Sequence, residues 1–143
     1  MPAAVVRKSG AAGPQPPSPT AAAYAKALKT CYEGRMKSAA PIDAILERFR
    51  VAVNEIYGAR LARLVLFGSR ARGEAGPDSD YDVAVFLRDM PDRISELNRL
   101  ADLSGALLEE TGEFVHAMPY RADVYNDARM PLMHEIRREG VQL

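Results

Sequence analysis

Two short stretches of the chain hold residue types suited to phosphoryl chemistry. In Leu66-Phe67-Gly68-Ser69-Arg70-Ala71-Arg72-Gly73, a glycine and a serine directly follow an apolar run. At such a point the backbone can approach a phosphate closely, offer N–H donors at the start of a turn and add one hydroxyl. In Ser79-Asp80-Tyr81-Asp82-Val83-Ala84-Val85, two aspartates stand two residues apart. On a strand both carboxylates would leave the same face, within bridging distance of one or two Mg2+ ions. Metals held by shared carboxylates neutralise a triphosphate and stabilise the attacking and leaving oxygens of an in-line displacement. Ala84 and Phe86 continue that face, so the charges sit at the end of a surface that turns apolar, where an idle carboxylate is costly. Taken singly, Gly-Ser also reads as an ordinary turn and Asp-x-Asp as solvated surface or a cap. Arg70 and Arg72 stand where they could meet phosphate oxygens, or equally pair with Glu74 and Asp78 in a solvated loop.

The elements that must position these residues follow from apolar spacing. Ile42, Ile45, Leu46, Phe49, Val53 and Ile56 recur at helical intervals between Pro41 and Tyr57, with Gly58 as the stop. Arg63 to Phe67 reads as a buried strand that delivers the chain to Gly68, and Tyr81 to Leu87 as a second strand paired with it. From Arg93 to Thr111, Ile94, Leu97, Leu100, Leu103, Leu107 and Leu108 define a long helix that Gly112 caps. Phe114 to Tyr120 predicts a third strand, extendable to Tyr125, and Leu132 to Glu139 a last helix ended by Gly140. The order αββαβα puts the fold in the α/β or α+β class, with a small mixed sheet.

The whole chain of 143 residues, 48% apolar and 27% charged, suits one hydrophobic core and points to neither a membrane span nor a fibrous repeat. Nineteen basic and nineteen acidic residues cancel, so no global positive field holds a polynucleotide, although a local cluster can still bind a phosphate. Cys31 is the single cysteine and His116 and His134 are the two histidines, which excludes an intramolecular disulfide and a Cys/His zinc site. With no apolar leader near the N-terminus, the expected location is the cytoplasm. Residues 1–40, rich in Ala, Gly, Pro and Ser, read as a disordered tail with at most a short helix over Ala21 to Lys29, and Met36 is the expected authentic start. Residues 41–143 form the expected domain.

Together, Gly68-Ser69, Gly73 and Ser79-Asp80-x-Asp82 resemble the signature of the polymerase beta-like nucleotidyltransferases, and specifically the minimal nucleotidyltransferases. The resemblance covers about Ile42 to Leu143. Pro131-Leu132 through Arg138-Glu139-Gly140-Val141 is similar to the C-terminal helix and strand of that subgroup. It implies the polymerase beta-like fold, a small mixed sheet flanked by helices. It also implies nucleotide binding by Gly68 and Ser69, with Arg70 and Arg72 as further contacts, and Mg2+ or Mn2+ on the catalytic Asp80 and Asp82. Catalytic members usually carry a third carboxylate on the next strand, often as Val-Asp. Here Val115-His116 stands at that place, and Asp123 is the nearest carboxylate replacement if the strand continues past Pro119. His116 is the other residue that could serve as ligand or base, or it is a plain strand histidine. His134 reads as surface.

The activity implied is transfer of AMP from ATP to a hydroxyl of a partner protein, a tyrosine or similar residue. Minimal nucleotidyltransferases commonly act as antitoxins, so the implied partner is a HEPN-type ribonuclease toxin. The departure at His116 keeps a second reading open, a binding module that restrains its partner by contact with little transfer. A third, nucleotide transfer to a small molecule, needs an additional helical domain or a homodimer.

Overall fold

The computed structural model describes residues 41–143, with side chains from Ala44 onward. The expectations for residues 1–40, including the tail, its short helix and the start at Met36, fall outside these. Helix α1 (Pro41–Tyr57) leads through a 3-10 turn (Gly58–Arg60) into strand β1 (Leu61–Phe67), and β2 (Tyr81–Leu87) follows. Helix α2 (Arg93–Thr111), β3 (Val115–Arg121), a second 3-10 turn (Ala122–Asn126), α3 (Pro131–Glu139) and the short β4 (Val141–Gln142) complete the chain.

The sheet order is β3-β2-β1-β4. β1 runs antiparallel to both β2 and β4, whereas β2 and β3 are parallel. Parallel neighbours require a crossover, and α2 supplies it, so β2 and β3 begin at the same end of the sheet. β1 ends there because it runs the other way. The last residue of β1 and the first residues of β2 and β3 therefore meet at one edge, which carries every part of the candidate site described below.

The pleat divides the apolar residues between two cores. On one face, Leu46, Phe49 and Val53 of α1 and Leu100, Leu103 and Leu107 of α2 pack against Leu64, Leu66, Tyr81, Val83, Val85 and Val115. On the other, Met133 and Ile136 of α3 cover Val65, Ala84 and Phe86. Being central and covered on both faces, β2 is buried continuously from Val83 to Leu87, which is why its sequence is apolar rather than alternating.

Two expectations change. β1 starts at Leu61, because Leu61 pairs with Leu87 across an irregularity before Arg63. β3 stops at Arg121 and does not extend to Tyr125, since the chain turns into the 3-10 segment at Ala122. Pro119 sits within β3 opposite Val85, and an edge strand tolerates a residue that cannot donate to a further neighbour.

Helix α2 begins at the cap Asp92, whose carboxylate accepts from the Ser95 hydroxyl at 2.6 Å and from the Ile94 N–H at 3.0 Å. The Ser95 hydroxyl first, then the Ile94 N–H, hold the Asp92 carboxyl below its ordinary value of 3.8. A depressed carboxyl stabilises the fold fully above that ordinary value, and the contribution is lost as pH falls through the lower folded value. Asp92→Ala should therefore lower the thermal midpoint at pH 7, and the deficit against the parent should shrink as the pH falls through the lowered folded value. A deficit independent of pH would assign the effect to packing.

Candidate active site

Gly68 follows β1 with φ +75°, a conformation that side chains with a Cβ rarely adopt, and opens the turn over residues 68–73. The turn closes through Arg72 N–H to the Gly68 carbonyl at 3.2 Å and Glu74 N–H to the Ser69 carbonyl at 3.0 Å. The backbone N–H groups of Ser69, Arg70 and Ala71 have no backbone acceptor among the described residues. Three such successive donors beside a hydroxyl make a concavity suited to phosphate oxygens.

The turn touches Asp82 directly. A Cβ on Gly68 would stand 2.7 Å from Asp82 Oδ2. Gly68→Ala should thus cost about 1–2 kcal/mol through backbone strain alone and also displace the carboxylate. Urea denaturation checks the first effect. The second should weaken MgATP binding at least about 10-fold if Asp82 holds the cation.

Asp82 is the second residue of β2, paired with Phe67 of β1 on one side and His116 of β3 on the other. Its side chain is one-third exposed, and the His116 imidazole lies on it, Nδ1 to Oδ1 3.3 Å. Asp80 precedes the strand and is exposed. Its neighbour Ser79 is held from several sides: its hydroxyl accepts from Gly76 N–H at 3.0 Å, its N–H donates to the Gly76 carbonyl at 3.2 Å, and Arg70 Nε donates to its carbonyl at 2.8 Å.

Arg70 is accordingly not brought to a phosphate position. Its side chain is 7% exposed, its guanidinium covers the Tyr81 ring at 3.9 Å, and Glu113 lies 4.0 Å away. It staples the turn to the start of β2. Arg72 pairs with Glu74 at 2.8 Å and Glu139 at 3.3 Å, and its hydrogen bond to Glu74 leads in raising its pKa. Both arginines spend their charge within the protein, as the solvated-loop alternative expects for Arg72 and a buried anchor explains for Arg70.

Asp123 is not brought to the aspartates. It lies in the 3-10 turn beyond β3, two-thirds exposed and paired with Arg121 at 3.2 Å. His116 and Arg121 are separated by the length of β3, roughly 16 Å at about 3.3 Å per residue, so Asp123 stands at the opposite end of the sheet. The parallel register puts His116, not a carboxylate, beside Asp82. His134 is on the exposed side of α3, bonded to the Ala128 carbonyl at 3.0 Å.

Phe114 was not singled out by composition or spacing, yet it joins the site. Its carbonyl accepts from Tyr81 N–H at 3.2 Å, and its ring stacks on His116 with centroids 6.5 Å apart and planes 19° apart. The signal available in the sequence was its position two residues before His116, on the same side of an extended chain.

Among the described residues no three ligating side chains converge as a metal cage. The aspartate pair still fits Mg2+, which typically takes one or two carboxylates and fills its remaining positions with water and substrate phosphates. A cavity of about 590 Å³ adjoins the turn, lined by Arg70, Gly73, Gly76 and Glu113 together with Ile45, Leu66, Tyr81 and Thr111.

A mixed sheet with helices on both faces, a Gly-Ser turn after its first strand and an Asp-x-Asp at the start of the next define a nucleotidyl-transferring class of protein. Residues 46–137 match the nucleotidyltransferase domain family, and the chain belongs to it. It is similar to two proteins of Methanocaldococcus jannaschii whose names are "Putative protein adenylyltransferase MJ0141" and "Putative protein adenylyltransferase MJ1215". The first is 38% identical over 50 residues, 35% of this chain and 50% of that protein. The second is 37% identical over 59 residues, 41% of this chain and 66% of that protein. The match thus spans about half to two-thirds of these relatives. Among solved structures, a toxin-antitoxin with AMP-PNP is 22% identical with a TM-score of 0.48, covering 66% of this chain and 68% of that one. A mutant of the toxin-antitoxin MntA-HpeT is 24% identical with a TM-score of 0.47, covering 68% and 70%.

Proposed function

We infer that the chain transfers AMP from ATP to a hydroxyl of a partner protein. The observation that carries this reading is the meeting of the Gly68-Ser69 turn with Asp82, so close that a single added carbon would strike the carboxylate. A phosphate cradle and an acidic residue in contact are what a nucleoside triphosphate with a divalent cation requires. The names of the curated relatives support a protein as acceptor.

In this reading the turn's N–H groups and the Ser69 hydroxyl hold the β- and γ-phosphates. Asp80 and Asp82 hold Mg2+ or Mn2+, which when bound neutralises the triphosphate and the charge developing on it. The acceptor oxygen attacks the α-phosphorus and forms a new phosphoester bond. The bond from that phosphorus to the bridging oxygen breaks, pyrophosphate leaves, and the hydroxyl proton passes to solvent or to an adjacent base. The partner is a HEPN-type toxin, and the modification neutralises it inside the cell.

One observation favours a second reading. Because His116 occupies the place beside Asp82 and Asp123 is at the far end, the aspartate pair has no third carboxylate next to it among the described residues. A chain that binds nucleotide and partner yet transfers slowly would restrain the partner by contact. Incubation with α-labelled ATP, Mg2+ and the protein encoded beside it separates the two. Label on the partner supports transfer, whereas intact binding of ATP and partner without label supports restraint by contact.

A further inference from the structure

We propose that Arg70 is a positioning residue for the reaction: through the Ser79 carbonyl it sets Asp80 against the phosphate-binding turn. This rests on the transfer reading above and gives Arg70 a task other than contact with the triphosphate.

Asp80 has little of its own to hold it. It precedes β2, is exposed and makes no side-chain hydrogen bond among the described residues. Its place is therefore set by the backbone on either side. On one side the Tyr81 N–H donates to the Phe114 carbonyl at 3.2 Å, which ties residue 81 to the segment entering β3. On the other the Ser79 carbonyl accepts from both Nε and Nη2 of Arg70, from Nε at 2.8 Å. The other bonds of Ser79, from its hydroxyl and its N–H to Gly76, stay within its own loop. Among the described residues no other side chain joins residues 68–73 to Ser79 or Asp80 by a hydrogen bond.

The guanidinium is itself fixed. Its side chain is 7% exposed, it lies on the Tyr81 ring at 3.9 Å, and the Glu113 carboxylate at 4.0 Å offsets its charge. A planar fork suits this place, since two N–H groups on one carbonyl and a flat face on a ring define direction as well as distance. The backbone N–H of Arg70 is one of the three donors that the turn offers, so a single residue joins the phosphate cradle to the cation-binding aspartate. Without the side chain those N–H groups stay in place, because the turn closes through backbone bonds from Arg72 to Gly68 and from Glu74 to Ser69. What is lost is the placement of Asp80, and misplacing a group by about 1 Å can cost about 10²-fold in rate.

The test compares the parent, Arg70→Ala and Arg70→Lys in transfer of label from α-labelled MgATP to the protein encoded beside the chain. Arg70→Ala should lower kcat about 10²-fold and leave the KM for ATP within about threefold, the pattern of an arrangement used only in the transition state. Arg70→Lys keeps a cation over Tyr81 but offers a point donor instead of a fork, and should lose about tenfold in kcat. Because Arg70 lines the cavity of about 590 Å³, its removal leaves a guanidinium-sized space that a small cation can enter. Ethylguanidinium should then raise the kcat of Arg70→Ala at least about tenfold, and ethylammonium should not. Thermal scans with and without each additive separate folding from positioning. A raised KM for ATP at unchanged kcat overturns the proposal and returns Arg70 to the phosphates. A kcat in Arg70→Ala close to the parent's overturns it as well. So does ethylguanidinium that lifts the thermal midpoint and leaves kcat low, which makes Arg70 a residue of the fold alone. Should Arg70→Ala not fold, or ethylguanidinium not bind, Arg70→Lys decides: a lowered kcat at the parent's midpoint and KM supports positioning, and an unchanged kcat overturns it. If the parent labels no partner, the transfer reading itself falls and takes this proposal with it.

Discussion

Asp82→Asn is expected to reduce nucleotide transfer to the partner by at least about 10³-fold, with Asp80→Asn causing a loss of similar order. Asparagine has nearly the volume of aspartate and keeps one acceptor oxygen, so the substituted residue can still pair in register with Phe67 and lie beneath His116. It cannot supply negative charge to a cation shared with a triphosphate. At about 1.4 kcal/mol per tenfold, a 10³-fold loss corresponds to roughly 4 kcal/mol of differential interaction, within the several kcal/mol that a correctly placed metal contributes. The measurement is label on the partner per minute at saturating ATP, alongside urea denaturation to show that the variant is folded. Retention of more than a tenth of the parent rate would sink the assignment of Asp82. Neutralisation of the partner that survives both substitutions would favour restraint by contact.

The second large effect concerns stability. Glu96 of α2 is 1% exposed and pairs with Arg60 at 2.7 Å and Arg99 at 3.3 Å, with both guanidinium groups near the Tyr57 ring. Arg60 also donates to the Asp89 carbonyl at 2.7 Å, and its own carbonyl accepts from Arg88 N–H at 2.8 Å. One carboxylate thus anchors the turn after α1 to the exit of β2 and the first turns of α2. Removing a single partner from a buried pair leaves a charge without compensation, so Glu96→Ala should cost about 3–5 kcal/mol. That is a large part of the total for a domain of this size, which is typically about 5–15 kcal/mol. Glu96→Gln, which keeps two hydrogen-bonding groups, should cost less. Denaturation midpoints in urea test both. Well below its midpoint Glu96→Ala should bind MgATP as the parent does, because the network lies away from the Asp82 face. A cost below about 1 kcal/mol would mean that water or rearrangement already compensates the arginines.

Much of the architecture is legible without coordinates because burial imposes periodicity. Phe49 and Val53 mark the inner face of α1, and Leu100, Leu103 and Leu107 that of α2. The continuous apolar run from Val83 to Leu87 marks a strand covered on both sides. Local chemistry is legible too. Gly68 and Gly112 stand where the backbone takes φ +75°. The end of β3 was less so, since both a longer strand and a 3-10 turn satisfy Ala122-Asp123-Val124-Tyr125, and only packing beyond Arg121 decides between them.

What the chain's own residues determined is therefore local: which segments are helices and strands, where the turns fall, and that Gly68-Ser69 and Asp80-x-Asp82 are chemically suited to a nucleotide and a cation. Tertiary structure alone decided which distant residues accompany them. The parallel register of β2 and β3 set His116 against Asp82 and sent Asp123 to the other end of the sheet. Burial turned Arg70 inward onto Ser79 and Tyr81, so a residue that reads as a phosphate ligand became a strut. Phe114 meets the start of β2 through its carbonyl, which accepts from Tyr81 N–H, a contact between segments far apart in sequence. The physical reason is the same in each case. Side-chain periodicity is a property of neighbours within one segment, whereas register between β2 and β3 is set by how α2 packs across both, and no single segment carries that information.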